Sequence, residues 1–290
     1  MKRAQITTFV VIGLVVLILV GMTVYFVIST TKRQGQKNVK ITQQSTIRTQ
    51  AIANFISACL DKVAKNATFL ASRQGGYIFT DQGGLQGLSQ MSVSYYDYDQ
   101  DGDSKTDYHV AYAITVNNDV LIDLNKGESF PNTRSVQNQL EFYINNTIDK
   151  CIDFSALERQ GFSIKKSGKN VQVKISERGV AVNLYYPIDA AYKKTGENAH
   201  YENFNADINV GLNKTYGVAN YIASTNHEKN SGIAIANYQE PPRIQITELE
   251  VSDIDGAPDQ LIMINDTTSK IQGENYEFWF VKENWLTQPE

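Results

Sequence analysis

Between Asp97 and Asp107 the residues Asp-Tyr-Asp-Gln-Asp-Gly-Asp-Ser-Lys-Thr-Asp place five acids in eleven positions. Counting from Asp99, carboxylates fall at positions 1, 3, 5 and 9, with Gly102 available for a bend and an aromatic, β-branched stretch following from Tyr108. Such a row of like charges repels itself unless a cation offsets it. Calcium requires six to eight oxygens, and alternating carboxylates around a glycine bend can converge on one ion while a backbone carbonyl fills a further place. The expected ligands are Asp99, Asp101, Asp103 and Asp107, with Asp97 as a fifth candidate, and the expected task of the calcium is to stiffen a hairpin. The competing reading is an acidic solvated turn, for which Asp and Gly are ordinary choices. The later run Asp253-Ile254-Asp255-Gly256-Ala257-Pro258-Asp259 has similar spacing, but Val251 stands at its first ligand position, so it reads as a turn.

The acidic segment is similar to the DxDGDxxxD calcium loops of integrin-type β-propeller blades, here as a single loop without a blade repeat. It departs from the EF-hand, because counting from Asp97 puts Tyr108 where that loop needs a bidentate Glu.

Other chemistry is sparse. The chain has two cysteines and three histidines, and carries no Gly-x-Ser-x-Gly elbow, phosphate loop, dinucleotide fingerprint or His-Glu-x-x-His pair. His109, His200 and His227 read as surface residues, and no catalytic residue is expected. Cys59 and Cys151 each fall on the apolar stripe of an expected helix. Bonded, they would pin those helices together in an oxidising compartment; unbonded, they would be small buried hydrophobes. Four Asn-x-Ser/Thr sites, at Asn66, Asn145, Asn213 and Asn265, are candidate glycan acceptors. Sixteen tyrosines leave room for exposed rings that could meet a surface protein or a glycan.

These residues must be carried by a body that sits at a membrane. Phe9 to Ile28 is an uninterrupted apolar run, FVVIGLVVLILVGMTVYFVI, long enough as a helix to cross a hydrocarbon core of about 30 Å. A cleaved secretory signal would be shorter and end at small residues, whereas this run ends in Ser-Thr-Thr-Lys-Arg. Residues 1–31 are therefore expected to hold a retained single-pass anchor, followed by a basic linker over 32–40. Lys2 and Arg3 precede the run, and Lys32, Arg33, Lys37 and Lys40 follow it. That count favours a cytoplasmic body, while the expected disulfide, the calcium-type loop and the Asn-x-Ser/Thr sites favour an exterior one. The six cations of residues 1–40 meet no acid there, so a chain of net charge −4 has a body at −10. A body so acidic excludes a nucleic-acid partner, which would need a basic face.

Lys2-Arg3-Ala4-Gln5 ahead of the apolar run resembles the class III signal of archaeal type IV pilin-like proteins. The resemblance implies processing between Ala4 and Gln5, a body outside the cell, and self-assembly through the N-terminal helix. It departs at Phe9, where bacterial pilins carry Glu as the fifth mature residue. Gln74-Gly75-Gly76-Tyr77-Ile78, Tyr186-Pro187-Ile188 and Tyr276-Glu277-Phe278-Trp279-Phe280 resemble segments of a group of uncharacterised anchored proteins from small-genome archaea, a likeness that brings no activity with it.

Periodicity supplies the rest. Ile52, Phe55, Ile56, Cys59, Leu60, Val63, Ala67 and Leu70 recur at helical spacing, and Gly75-Gly76 supplies a left-handed stop. Strands are expected within 77–124, chiefly Ser92–Tyr98 and Tyr108–Val116, and a second amphipathic helix over Thr133–Phe154. A meander follows: Phe162–Lys166, Val171–Ser176, and Val180–Tyr186 stopped by Pro187. A helical or mixed stretch over 209–223 precedes a last sheet of 244–251, 260–264 and 276–281. The fold class is α+β: a transmembrane helix, an amphipathic helix, then antiparallel sheets and a helix pair in one extracytoplasmic domain over 41–290, with a candidate sub-boundary near 155–190. The expected function is a membrane-anchored, non-catalytic surface protein, structural or adhesive; the alternative is an anchored extracytoplasmic receptor or hydrolytic enzyme.

Overall fold

The computed structural model describes residues 47–85, 93–112, 122–125, 135–224, 243–251 and 259–282. The chain divides into Met1–Lys40 and Ile41–Glu290, and every described residue belongs to the second. The apolar run at 9–28, Ala4, Gln5, the linker at 32–40, His227 and the turn residues 253–258 lie outside the described residues. Among those described, no helix is long and apolar enough to cross a membrane.

The body is mixed α+β with antiparallel sheets. Helix α1 (Ile47–Arg73) buries Ile52, Ile56, Leu60, Ala64, Ala67 and Ala71 along one face. It ends as expected: Gly75 and Gly76 take φ of 68° and 95°, and the Gly76 N–H reaches back to the Ala71 carbonyl at 2.7 Å. A side chain at Gly76 would also collide, since a Cβ there would lie 2.5 Å from Ile122 Cγ2. A 3-10 turn at Thr80–Gln82 comes next, and no described residue forms a strand until β1 (Tyr95–Tyr98), which pairs with β2 (Tyr108–Ala111).

Helix α2 (Val136–Cys151) starts where Ser135 Oγ accepts from Asn138 N at 3.1 Å. The expected single helix to Phe154 is two helices. Ile152 is extended and Asp153 caps the short α3 (Phe154–Arg159), its Oδ1 accepting from Ala156 N at 3.1 Å. An Asp competes for nearby backbone N–H groups, so a cap prevails over continuation.

Strands β3 (Phe162–Lys166), β4 (Asn170–Ser176), β5 (Gly179–Tyr192) and β6 (Glu197–Ile208) form one sheet in which β5 is the spine. One expectation fails here, and one strand was not foreseen. Pro187 does not stop β5. It sits where the neighbour changes from β4, paired up to Tyr185, to β3, paired from Ile188, and where the register with β6 shifts. At such a junction the missing proline N–H removes no ladder bond. The unforeseen strand is β6, whose buried positions Ala199, Tyr201, Phe204, Ala206 and Ile208 alternate on either side of that shift. The buried face of this sheet carries Val180, Val182, Leu184, Tyr186 and Ile188. Helix α1 lies on β5 and β6, and α2 on β4.

Helix α4 (Leu212–Ser224) leads to the second sheet, β7 (Ile244–Val251), β8 (Asp259–Ile271) and β9 (Glu274–Lys282), in the order β7–β8–β9. Side chains alternate across β9. Phe278 meets Tyr216 of α4 edge-on at 6.0 Å, while Trp279 and Val281 join Leu261, Val251 and Val110 in a cluster faced by Tyr96, Tyr98, Tyr108 and Tyr112. The β1–β2 hairpin is thereby fastened to one face of this sheet.

Candidate metal-binding hairpin

The acidic segment is the loop of the β1–β2 hairpin. Its backbone bends through Gly102 and Ser104, both at positive φ (78° and 68°), and Asp107 N closes onto the Tyr98 carbonyl at 2.9 Å. The carboxylates are drawn inward by backbone N–H groups. Asp99 accepts from Gly102 N and Ser104 N, each at 2.7 Å, Asp107 from Gln100 N at 2.8 Å, and Asp101 from Asp103 N at 3.1 Å. Desolvation, the largest single influence, pushes the Asp99 carboxyl up. The N–H bonds from Gly102, Ser104 and Asp103 outweigh it and hold the group below its ordinary value.

Asp99, Asp101 and Asp107 each bring one oxygen within 4.8 Å of the other two, an arrangement that could hold a metal ion. The donors are all carboxylate oxygens, which suit a hard cation rather than zinc or copper. Each oxygen has two lone pairs, so the N–H bonds leave acceptor capacity for a cation. Asp103 is engaged otherwise: its carboxylate takes Lys105 Nζ at 2.5 Å and Lys105 N at 2.9 Å. Asp97 is set apart as well, paired with His109.

That pairing belongs to a cluster that no sequence motif marks. His109 Nδ1 lies 2.6 Å from Asp97 Oδ1 and Nε2 lies 3.2 Å from Asp81 Oδ2, while the ring stacks edge-on with Phe79 and Tyr95. His109 is thus half-buried and clamped rather than simply exposed. A signal existed, because a hairpin centred on 99–107 sets Asp97 opposite His109, but nothing in the sequence brings Asp81 to them. Arg73 is the second such residue. Its side chain is 4% exposed and bonds Glu274 at 2.7 Å and Gln100 at 3.3 Å; its guanidinium lies 4.3 Å from the Trp279 ring and 4.6 Å from that of Phe69. The last turn of α1 is thereby tied to β9 and to the acidic loop.

Cys59 and Cys151 form a disulfide that joins α1 to α2 with Cα atoms 5.7 Å apart. His200 stands on the open face of the first sheet, opposite Asp189 at 2.7 Å. The four Asn-x-Ser/Thr asparagines all fall inside helices or strands. Asn66 Nδ2, the atom a glycan would need, bonds Tyr143 Oη at 2.6 Å, and Asn265 Nδ2 faces Glu277 at 3.5 Å. Of the second acidic run, Asp259 is described: it is buried at the start of β8 and accepts from Tyr112 Oη at 2.8 Å.

Comparison of the chain with protein-family models, with curated proteins and with solved structures finds no match.

Proposed function

We propose that this chain is a membrane-anchored, extracytoplasmic surface protein, structural or adhesive and non-catalytic, with the 41–290 body held by the apolar segment 9–28. In this reading a class III-type processing event cuts between Ala4 and Gln5 in the manner of archaeal pilin-like proteins. The N-terminal helix then remains as the anchor and as a surface for self-assembly. The acidic loop holds calcium on Asp99, Asp101 and Asp107, and the ion stiffens the hairpin that carries the Tyr98 and Tyr108 rings.

The observation that supports this reading most is the Cys59–Cys151 bond in the folded body. Disulfides form and persist in oxidising compartments, so the bond favours an exterior body against the count of flanking cations. The test uses protein from native membranes. Intact mass should place the first residue at Gln5, and an impermeant amine label should reach body lysines in whole cells. A start at Met1 or beyond Thr31 overturns the processing step, and a body reachable only after lysis overturns the topology. Electron microscopy of surface fractions labelled against the body separates filaments from single anchored molecules.

A further inference from the structure

Helices α1 and α2 run side by side, joined by the disulfide, and leave between them a groove of about 750 Å³ whose rim carries Lys62, Lys65 and Lys150 against one acid, Asp61. Lys65 is taken by Asp61 at 2.7 Å, whereas Lys62 and Lys150 meet no carboxylate among the described residues. The next acid along α2, Asp149, is committed elsewhere, to Lys169 and to the Tyr186 hydroxyl. The groove therefore carries a surplus of two positive charges on a body whose net charge is −10.

A second, independent observation comes from the far rim. The β8–β9 hairpin turns through Gln272 and Gly273, both at positive φ (54° and 94°). Such a two-residue turn prefers Asn-Gly, because glutamine pays in backbone strain there without the local hydrogen bonding that favours Asn. Gln272 lines the groove and points its Nε2 to Asn66 Oδ1 at 3.5 Å. Residues kept in unfavourable backbone regions cluster at binding sites, where the side chain has a use.

We propose that this groove binds a compact anion of at least two negative charges, a small phosphate- or carboxylate-bearing molecule. Lys62 and Lys150 meet the charge, and the Thr147 hydroxyl and Gln272 amide orient it by hydrogen bonds. The volume falls within the range of small-molecule sites. Charge also sets the size of the ligand. At physiological salt a field reaches about 8 Å, so a compact anion meets only the two lysines, whereas a long polyanion would run on over acidic surface. The inference does not depend on where the body lies or on what the hairpin binds.

The test is calorimetric titration of the full chain in detergent at about 50 mM salt with inorganic phosphate, with succinate and, as an uncharged control, with glucose. The expected result is saturable binding of phosphate or succinate, whichever is tighter naming the headgroup, with no binding of glucose and weakening as salt rises. Lys62→Gln with Lys150→Gln should weaken it about tenfold, since two exposed charge contacts are lost, with circular dichroism unchanged. Lys174→Gln, an exposed lysine on β4 that does not line the groove, should leave it intact. Gln272→Gly should raise the melting temperature while weakening the anion. Absence of saturable binding of either anion, or binding that the double variant retains, overturns the proposal. So does a Gln272→Gly protein that gains stability at no loss of affinity.

Discussion

The disulfide-linked helix pair with its four-stranded sheet and the tyrosine-lined hairpin on the three-stranded sheet are secured in different ways. In the first, long alternating strands and two apolar helix faces bury Leu60, Leu140, Ile144, Leu184 and Phe204 almost completely, and a covalent link spans the helices. In the second, β1 and β2 are four residues each and their tyrosines are only partly buried against Trp279. So short a pair is marginal alone. The first region is fixed by burial, and the second depends on contacts that a charge or an ion can alter. Function that needs adjustment belongs on the second, as regions of few buried contacts open at the least cost.

The largest blow to the first region is loss of the disulfide. Closing a 92-residue separation contributes about 4–5 kcal/mol in the chain-entropy model. Cys59→Ala with Cys151→Ala should therefore lower the melting temperature by about 10–20 °C, read by scanning calorimetry with and without reductant. A fall of only a degree or two would mean that helix burial alone holds this region, and the contrast would shrink.

Arg73 joins the two regions and sharpens the contrast between them. Arg73→Met keeps much of the stacking surface but leaves Glu274 and Glu277 without their cation. Stranding one partner of a fully buried pair costs about 3–5 kcal/mol; Glu274 is 60% exposed and can rehydrate, so the expectation is about 2–3 kcal/mol. In a Trp285→Phe background, urea melts followed by Trp279 fluorescence should move further than melts followed by far-ultraviolet dichroism, which report the helices. Coincident shifts would show one cooperative unit.

On the proposed reading, calcium acts on the hairpin alone. At a hundredfold excess over its dissociation constant an ion that binds only the folded state adds about 2.7 kcal/mol, and millimolar calcium reaches that excess for a site of about 10⁻⁵ M. Asp101→Asn should abolish most of the calcium-dependent rise in melting temperature, and Asp103→Asn, whose carboxylate is held by Lys105, should reduce it less. If a chelator leaves the wild-type protein unmoved, the loop is an acidic turn held by its own N–H bonds.

The same contrast governs what could be read from the chain. Helix α1 was legible because its stripe is regular and its stop is Gly75-Gly76, and β7, β9 and the first half of β8 because they are short runs rich in apolar, β-branched and aromatic residues; the polar second half of β8, Asn265 to Lys270, was not. Strand β6 was not, because Asn198, Asn203 and Asn205 are poor strand formers and the register shift breaks the alternation of Ala199, Tyr201 and Phe204. Only pairing along the whole of β5 overrides that local preference. At the hairpin, spacing reveals a set of carboxylates but not their directions: Asp103 turns to Lys105, and Asp97 to His109. The groove was invisible, since Lys62, Lys150 and Gln272 become neighbours only when α1, α2 and the β8–β9 turn pack.

The smallest effect tests whether charge has any hold on the first region. His200 faces Asp189 across β5 and β6, and its pKa is raised, chiefly by the hydrogen bond to Asp189, with Glu202 assisting and desolvation opposing. A raised folded-state pKa means that the protonated form is favoured by folding. The stabilisation is therefore complete below the unfolded value of about 6.5 and is lost as pH rises through the higher folded value. The imidazole is 37% exposed and Asp189 67%, so solvent screening limits the gain to about 0.5 kcal/mol. The urea midpoint of wild type minus that of His200→Gln should be slightly positive at pH 5.5 and near zero at pH 8.5. A difference that grows toward high pH would reverse the sign and show that the neutral imidazole, not the charged one, is what the sheet face holds.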